Sequence, residues 1–211
     1  MSIADPPVID REPYERAEAG VETAFDGPYV TVEAHNAVYE NPEFRSWVRP
    51  VMPDHIDQSP RALFTTGLSF SRPPPGGKTT DRLLGIAARY ARREFRSSLT
   101  EDGLEAVEDA GSRDLRLRGR RTAKAFGYDA DYPLAPGAVG EPGATLDVRV
   151  WAAIWATADS FAMAGGVYPL ESLSDAVGRD GGAGTDSGVS IEPRPSGDRR
   201  EVFDAVRAAA E

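Results

Sequence analysis

Cysteine is absent from these 211 residues, and lysine occurs only twice, at Lys78 and Lys124, against 22 arginines. Without a thiol the chain has no disulfide staple, no thiolate zinc ligand, no cysteine nucleophile and no cysteine for lipid attachment. Histidine is nearly missing as well. His35 and His55 are the only imidazoles, and a metal centre normally takes three or four protein ligands. No apolar run approaches the ~18 residues that a membrane-spanning helix needs. The opening stretch, MSIADPPVIDREPYERAEAG, has neither a cationic n-region nor an apolar core. No signal peptide is therefore expected, and the cytoplasm is the expected location.

Acid is abundant. Thirty-four Asp and Glu give a net charge of −10, while 40% hydrophobic residues supply ample core for a domain of this length. A GC-rich genome would favour arginine over lysine, but that bias does not explain the acid excess. The two together resemble proteins of salt-accumulating haloarchaea. At molar salt the Debye length is about 3 Å, so self-repulsion of such a surface is largely screened. Salting-out ions also strengthen apolar association, which makes hydrated surface carboxylates useful. A halophilic chain of this charge is expected to lose stability as salt is removed.

Residues 1–27 read as a polar extension, with a short helix possible around Tyr14–Thr23. Tyr29–Tyr39 alternates as a strand, with Val30, Val32, Ala34 and Val38 on one face and Thr31, Glu33 and His35 on the other. Four prolines make 42–60 irregular, though Phe44, Trp47 and Val48 suggest one buried turn. Arg61–Ser71 is a second strand, ended by a Pro/Gly run. The clearest element is a helix from about Thr80 to Asp102, stopped by Gly103. Its core stripe is Leu84, Ala87, Ala91, Phe95 and Leu99, with Arg82, Arg89, Arg93 and Arg96 opposite.

After a short acidic link, strands are expected at Asp114–Arg118, Thr122–Tyr132, Leu146–Ala156 and Phe161–Tyr168. In the third of these, Leu146, Val148, Val150, Ala152 and Ile154 face one way and Trp151 and Trp155 the other, so both faces are covered. The segment 174–197 reads as a flexible linker. Ser196 or Asp198 then caps a C-terminal helix over 198–211 whose contacts are Val202, Phe203 and Val206. The domain proper is 28–173. An α+β fold follows, a mostly antiparallel sheet of five or six strands with helices packed on it.

This element order, the turn at Gly119–Ala123 and the late Trp-bearing hairpin resemble the Mog1/PsbP-like α/β/α sandwich over roughly residues 28–170. The chain also resembles uncharacterised haloarchaeal proteins of this length. Members of the sandwich fold are mostly binding or accessory proteins, and the resemblance carries no site residue onto this sequence.

Candidate chemistry is sparse. Gly76, Gly77, Lys78, Thr79 and Thr80 sit between a strand and a helix, and Gly-Lys-Thr matches a P-loop ending. Arg72 stands where the first P-loop glycine belongs, and Pro73, Pro74 and Pro75 offer no N–H to phosphate oxygens. The loop is a helix start, or at most a weak anion site at Gly76, Gly77, Lys78 and Thr79. Glu33 with His35, Asp54 and Asp57 around His55, and Asp129 with Asp131 would each begin an acid–base or metal site if partners converged. Solvated surface is the plainer reading of all three. Arg116, Arg118 and Arg120, with Arg89, Arg93 and Arg96, would make a basic face. Neutralising ~6 phosphates would cost about five decades of affinity per tenfold rise in salt, so pairing with carboxylates is the better reading.

The function is not legible here. The reading adopted is a binding or accessory protein with no catalytic residue, cofactor or metal, no membrane association, and a protein or small anion as partner. Its rivals are a phosphate-handling or hydrolytic enzyme using Lys78, Thr79 and the Asp129/Asp131 pair, and a nucleic-acid-associated protein using the arginines.

Overall fold

A computed structural model describes residues 5–26, 28, 31–72, 81–136, 143–179 and 192–211. The first three strands, β1 (Glu15–Asp26), β2 (Thr31–Glu40) and β3 (Ala62–Phe70), form an antiparallel meander. A short helix, α1 (Pro42–Val48), and a 3-10 turn (Arg49–Val51) lie between β2 and β3. The long helix α2 (Asp81–Glu101) then leads to β4 (Glu105–Arg116). From there β5 (Thr122–Pro133), β6 (Thr145–Ala156) and β7 (Phe161–Pro169) return across the sheet until β7 pairs antiparallel with β3. The strand order is β1-β2-β3-β7-β6-β5-β4, one sheet of seven strands. Two more helices follow, α3 (Leu173–Arg179) and α4 (Pro195–Ala209).

Helices cover both faces, and period-2 patterning decides which residues each face receives. On β6, Leu146, Val148, Val150, Ala152 and Ile154 join the core beneath α2, while Trp151, Ala153 and Trp155 join the core beneath α4. α2 is held by Phe95, whose ring lies 5.2 Å from Phe64, 6.0 Å from Phe126 and 6.3 Å from Tyr128. Leu84 and Leu99 of the expected stripe are buried, and Ala87 and Ala91 pack against the same cluster. On the other face Val202, Phe203 and Val206 of α4 are all buried, with Phe203 5.3 Å from Trp151.

The sheet has seven strands rather than five or six. The missed strand is β1, where Glu15–Asp26 pairs with β2 instead of forming a helix. Nearly every side chain of β1 is exposed, so no apolar alternation marks it. Backbone pairing at the sheet edge, not side-chain burial, creates this strand. β4 is also longer than expected, because its first half (Glu105–Ser112), mostly exposed apart from Val107, looks like an acidic link. The helix α4 starts at Pro195 with no side-chain cap at Arg194; Asp198 instead accepts from the Arg194 backbone N–H at 3.1 Å. α3 and the start of α4 occupy the two ends of the segment read as a linker, whose middle, 180–191, lies outside the described residues.

Two glycines on β7 let the layers close. A Cβ on Gly165 would lie 2.0 Å from the Trp151 carbonyl oxygen and 2.5 Å from the Phe64 ring. One on Gly166 would lie 2.7 Å from the Ala62 carbonyl oxygen and 3.0 Å from Val202 of α4. Gly20 on β1, by contrast, has nothing within 4 Å. Gly165→Ala and Gly166→Ala are therefore expected to lower stability by about 1–3 kcal/mol through overpacking. Gly20→Ala should stay within about 0.5 kcal/mol of the parent. Urea midpoints compare the three, and equal effects would contradict this packing.

Candidate functional site

The two faces of the sheet are not covered equally. α2 packs on β4, β5 and β6, touches β3 through Phe95 against Phe64, and otherwise stands off β1, β2 and β3 on that side. Between α2 and those three strands runs a groove of about 1180 Å³. Its floor follows the strand register in cross-strand rows. Val32 lies beside Phe70, Ala34 beside Leu68, Asn36 beside Thr66, and Val38 beside Phe64. Its wall is Leu83, Ile86, Ala87, Tyr90 and Ala91 of α2. Ile86 and Tyr90 are 37% and 53% exposed, unusual for large apolar side chains and explained by their place on the open side of the helix. The groove also reaches under α2 to Val150 and Ile154, which are fully buried core residues. It is a cleft into the core rather than a surface depression.

Three of the groove's polar side chains form one hydrogen-bonded line. Thr66 donates its hydroxyl hydrogen to the Asn36 side-chain oxygen at 2.7 Å, and the Asn36 amide donates to Glu22 Oε1 at 2.6 Å. This chain runs from the floor at β3 to the rim at β1 and fixes the Glu22 carboxylate there. Around the rim stand Glu18, Glu22, Asp57, Glu94, Glu101 and Asp102, with Arg72 as the one guanidinium and His55 as the one imidazole among the described lining residues. Glu94 is engaged by Arg93 at 2.7 Å. Asp102 remains in contact with solvent, yet the protein around it raises its pKa above the ordinary value, and the charges of Glu22, Glu101 and Glu18 push it further the same way. Carboxylates of β1 thus face carboxylates at the C-terminal end of α2.

The sequence-derived candidates do not come together here. Gly76, Gly77, Lys78, Thr79 and Thr80 lie outside the described residues. Glu33 and His35 alternate to the α4 side of β2, away from the groove, with His35 Nδ1 3.8 Å from an Asp5 oxygen. His55 and Asp57 line the groove, so the two histidines belong to opposite faces. Asp129 is clamped by Arg149 through two bonds of 2.6 and 2.8 Å, which also raises the Arg149 pKa. Tyr128 and Tyr132 point to the opposite face of β5 from Asp129, donating to the Arg92 and Gln58 carbonyls. Among the described residues no three His, Asp or Glu side chains are placed to hold one metal ion.

Several arginines are paired rather than gathered into a stripe. Arg118 meets Glu211 at 2.8 Å, Arg61 meets Asp198 at 3.0 Å, Arg92 pairs with Asp109, and Arg96 donates to the Val107 carbonyl. Arg118 and Arg120 form a 3-10 turn instead of continuing the strand of Arg116.

The groove was missed in the sequence because its rim residues are unremarkable singly. One signal was available. Leu83, Ile86 and Tyr90 form a second apolar stripe on α2 beside Leu84, Ala87 and Ala91, wider than one packing contact requires.

Like charges that gather on folding work against it. A folded pKa above the unfolded value means that charging Asp102 disfavours folding once pH passes about 3.9, and does so in full above the raised folded value. Asp102→Asn is expected to raise Tm at pH 7 and leave it unchanged near pH 3, where both states are protonated. Equal shifts at the two pH values would contradict the charge crowding.

Residues 4–210 match the family model described as Domain of unknown function (DUF6517). No curated protein and no solved structure shows a significant match. With nearly its whole length matched, the chain belongs to the DUF6517 family, a domain of unknown function.

Proposed function

We propose that this is a binding protein that takes a molecule with an extended apolar chain into the groove between α2 and β1–β3, without transforming it. The observation that carries this reading is the groove itself, about 1180 Å³ and walled by aliphatic and aromatic side chains down to Val150 and Ile154. Ligand pockets usually span about 300–1,000 Å³, so this space suits a long molecule rather than a fragment. A catalytic site would bring a nucleophile, a base and an orienting group within hydrogen-bond reach. The polar line in this groove is Thr66, Asn36 and Glu22, already bonded to one another. The helix–sheet–helix layering supports the likeness to the Mog1/PsbP-like sandwich, whose members are mostly binding or accessory proteins. The charge of −10 supports a salt-rich cytoplasm as its setting. The arginine pairs favour a small ligand over nucleic acid.

Each methylene moved from water into such a groove contributes about 0.8 kcal/mol, so chain length should govern affinity. Octyl, decyl and dodecyl maltoside, titrated below their micelle-forming concentrations against bound Nile red, are expected to bind about tenfold more tightly per two added methylenes. Ala87→Trp, which puts an indole into the groove from its helical wall, should weaken all three while leaving the circular dichroism spectrum intact. Affinity independent of chain length, or unchanged by Ala87→Trp, would overturn the reading.

A further inference from the structure

Charge is unevenly placed around the groove, and this bears on the other end of the ligand. Near Phe70 and Leu83 the lining is apolar, with Arg72 as the charged group. Along the β1 edge, Glu22 beside the Leu68 row and Glu18 beside the Phe64 row face Glu101 and Asp102 at the end of α2. The last carbonyls of a helix add further negative potential, equivalent to roughly half an elementary charge. Glu22 is not free to swing away, since Asn36 holds it at 2.6 Å and Thr66 holds Asn36. Folding thus assembles carboxylates from two elements far apart in sequence at the mouth of an apolar cleft.

We infer that the ligand of this groove is an amphiphile with a cationic end, an aliphatic chain carrying an ammonium or guanidinium group that docks among Glu18, Glu22, Glu101 and Asp102. This rests on the groove being the binding site. The chain lies along the floor rows of Phe70, Leu68 and Phe64, and the cation sits between β1 and the C-terminal end of α2. A single metal ion is a poor occupant, because the carboxylates do not converge on one point. An organic cation fits better, since its charge is spread over several N–H donors and its stem is apolar. The negative charges of Glu22, Glu101 and Glu18 around Asp102 are offset when such a cation enters.

The test uses three ligands that share a dodecyl chain and differ in head group: dodecylamine, dodecyl maltoside and dodecanoate. They are titrated by calorimetry below their micelle-forming concentrations, at one salt concentration and pH 7. The ammonium is expected to bind at least tenfold more tightly than the neutral maltoside, and the carboxylate more weakly than either. In E18Q/E22Q/D102N the ammonium should lose that preference while the maltoside keeps its affinity. A second triple variant, E15Q/E105Q/E108Q, removes three exposed carboxylates outside the groove lining and should keep the preference. The single variant Glu22→Gln provides the same comparison should the groove triple variant fail to fold. If both triple variants lose the preference alike, bulk charge is responsible and the inference fails. If the maltoside binds and the ammonium shows no preference, the inference fails while the groove reading stands. If none of the three binds, both fail.

Discussion

One connection governs this molecule: α2 must carry the chain from β3, in the middle of the sheet, to β4 at its far edge. Four strand spacings separate those strands, roughly 19 Å, and a 21-residue helix spans roughly 31 Å. Such a helix can make the crossing only by lying over β5 and β6, and those are the strands it packs on. The cost is that α2 reaches β3 only through Phe95 against Phe64 and stands off β1 and β2 on that face. The groove is therefore a consequence of connectivity rather than a gap in packing, and Phe95 against Phe64, Phe126 and Tyr128 fixes its width by pinning the helix.

The opposite face is closed at its centre. There α4 sits on β7 at the centre of the sheet, where Gly166 lets Val202 approach and Phe203 lies against Trp151. Arg113 completes that layer with its guanidinium 5.1 Å from the Phe203 ring centre. Burial on this side is complete enough to leave Trp155 2% exposed. The contrast is the ground for proposing the α2 side as the binding face, since contiguous apolar surface left open usually marks a binding site.

Much of this architecture was legible in the residues. The alternation of β6 assigned Val148 and Trp151 to different faces, and the 3.6-residue stripe of α2 placed Phe95 inward. Gly103, at φ +95, ends the helix as expected of a glycine there. Legibility failed where burial was absent. β1 has nearly all its described side chains exposed and is defined by its ladder to β2, so its sequence, rich in Glu and Ala, reads as helix. The candidate site failed for a related reason. Glu22 and Asp102 are 80 positions apart, and nothing in either neighbourhood signals that the fold will set them on the two sides of one cleft.

Methyl NMR can report directly whether a ligand enters that cleft. Decyl maltoside, added below its micelle-forming concentration, carries no charge and so examines the groove alone. Saturable shifts are expected at the methyls of Ala34, Val38, Leu68, Leu83 and Ala87, with Val202, Val206 and Ala153 on the α4 side unmoved. Shifts concentrated at Val202 and Val206, or small and uniform over both faces, would contradict it.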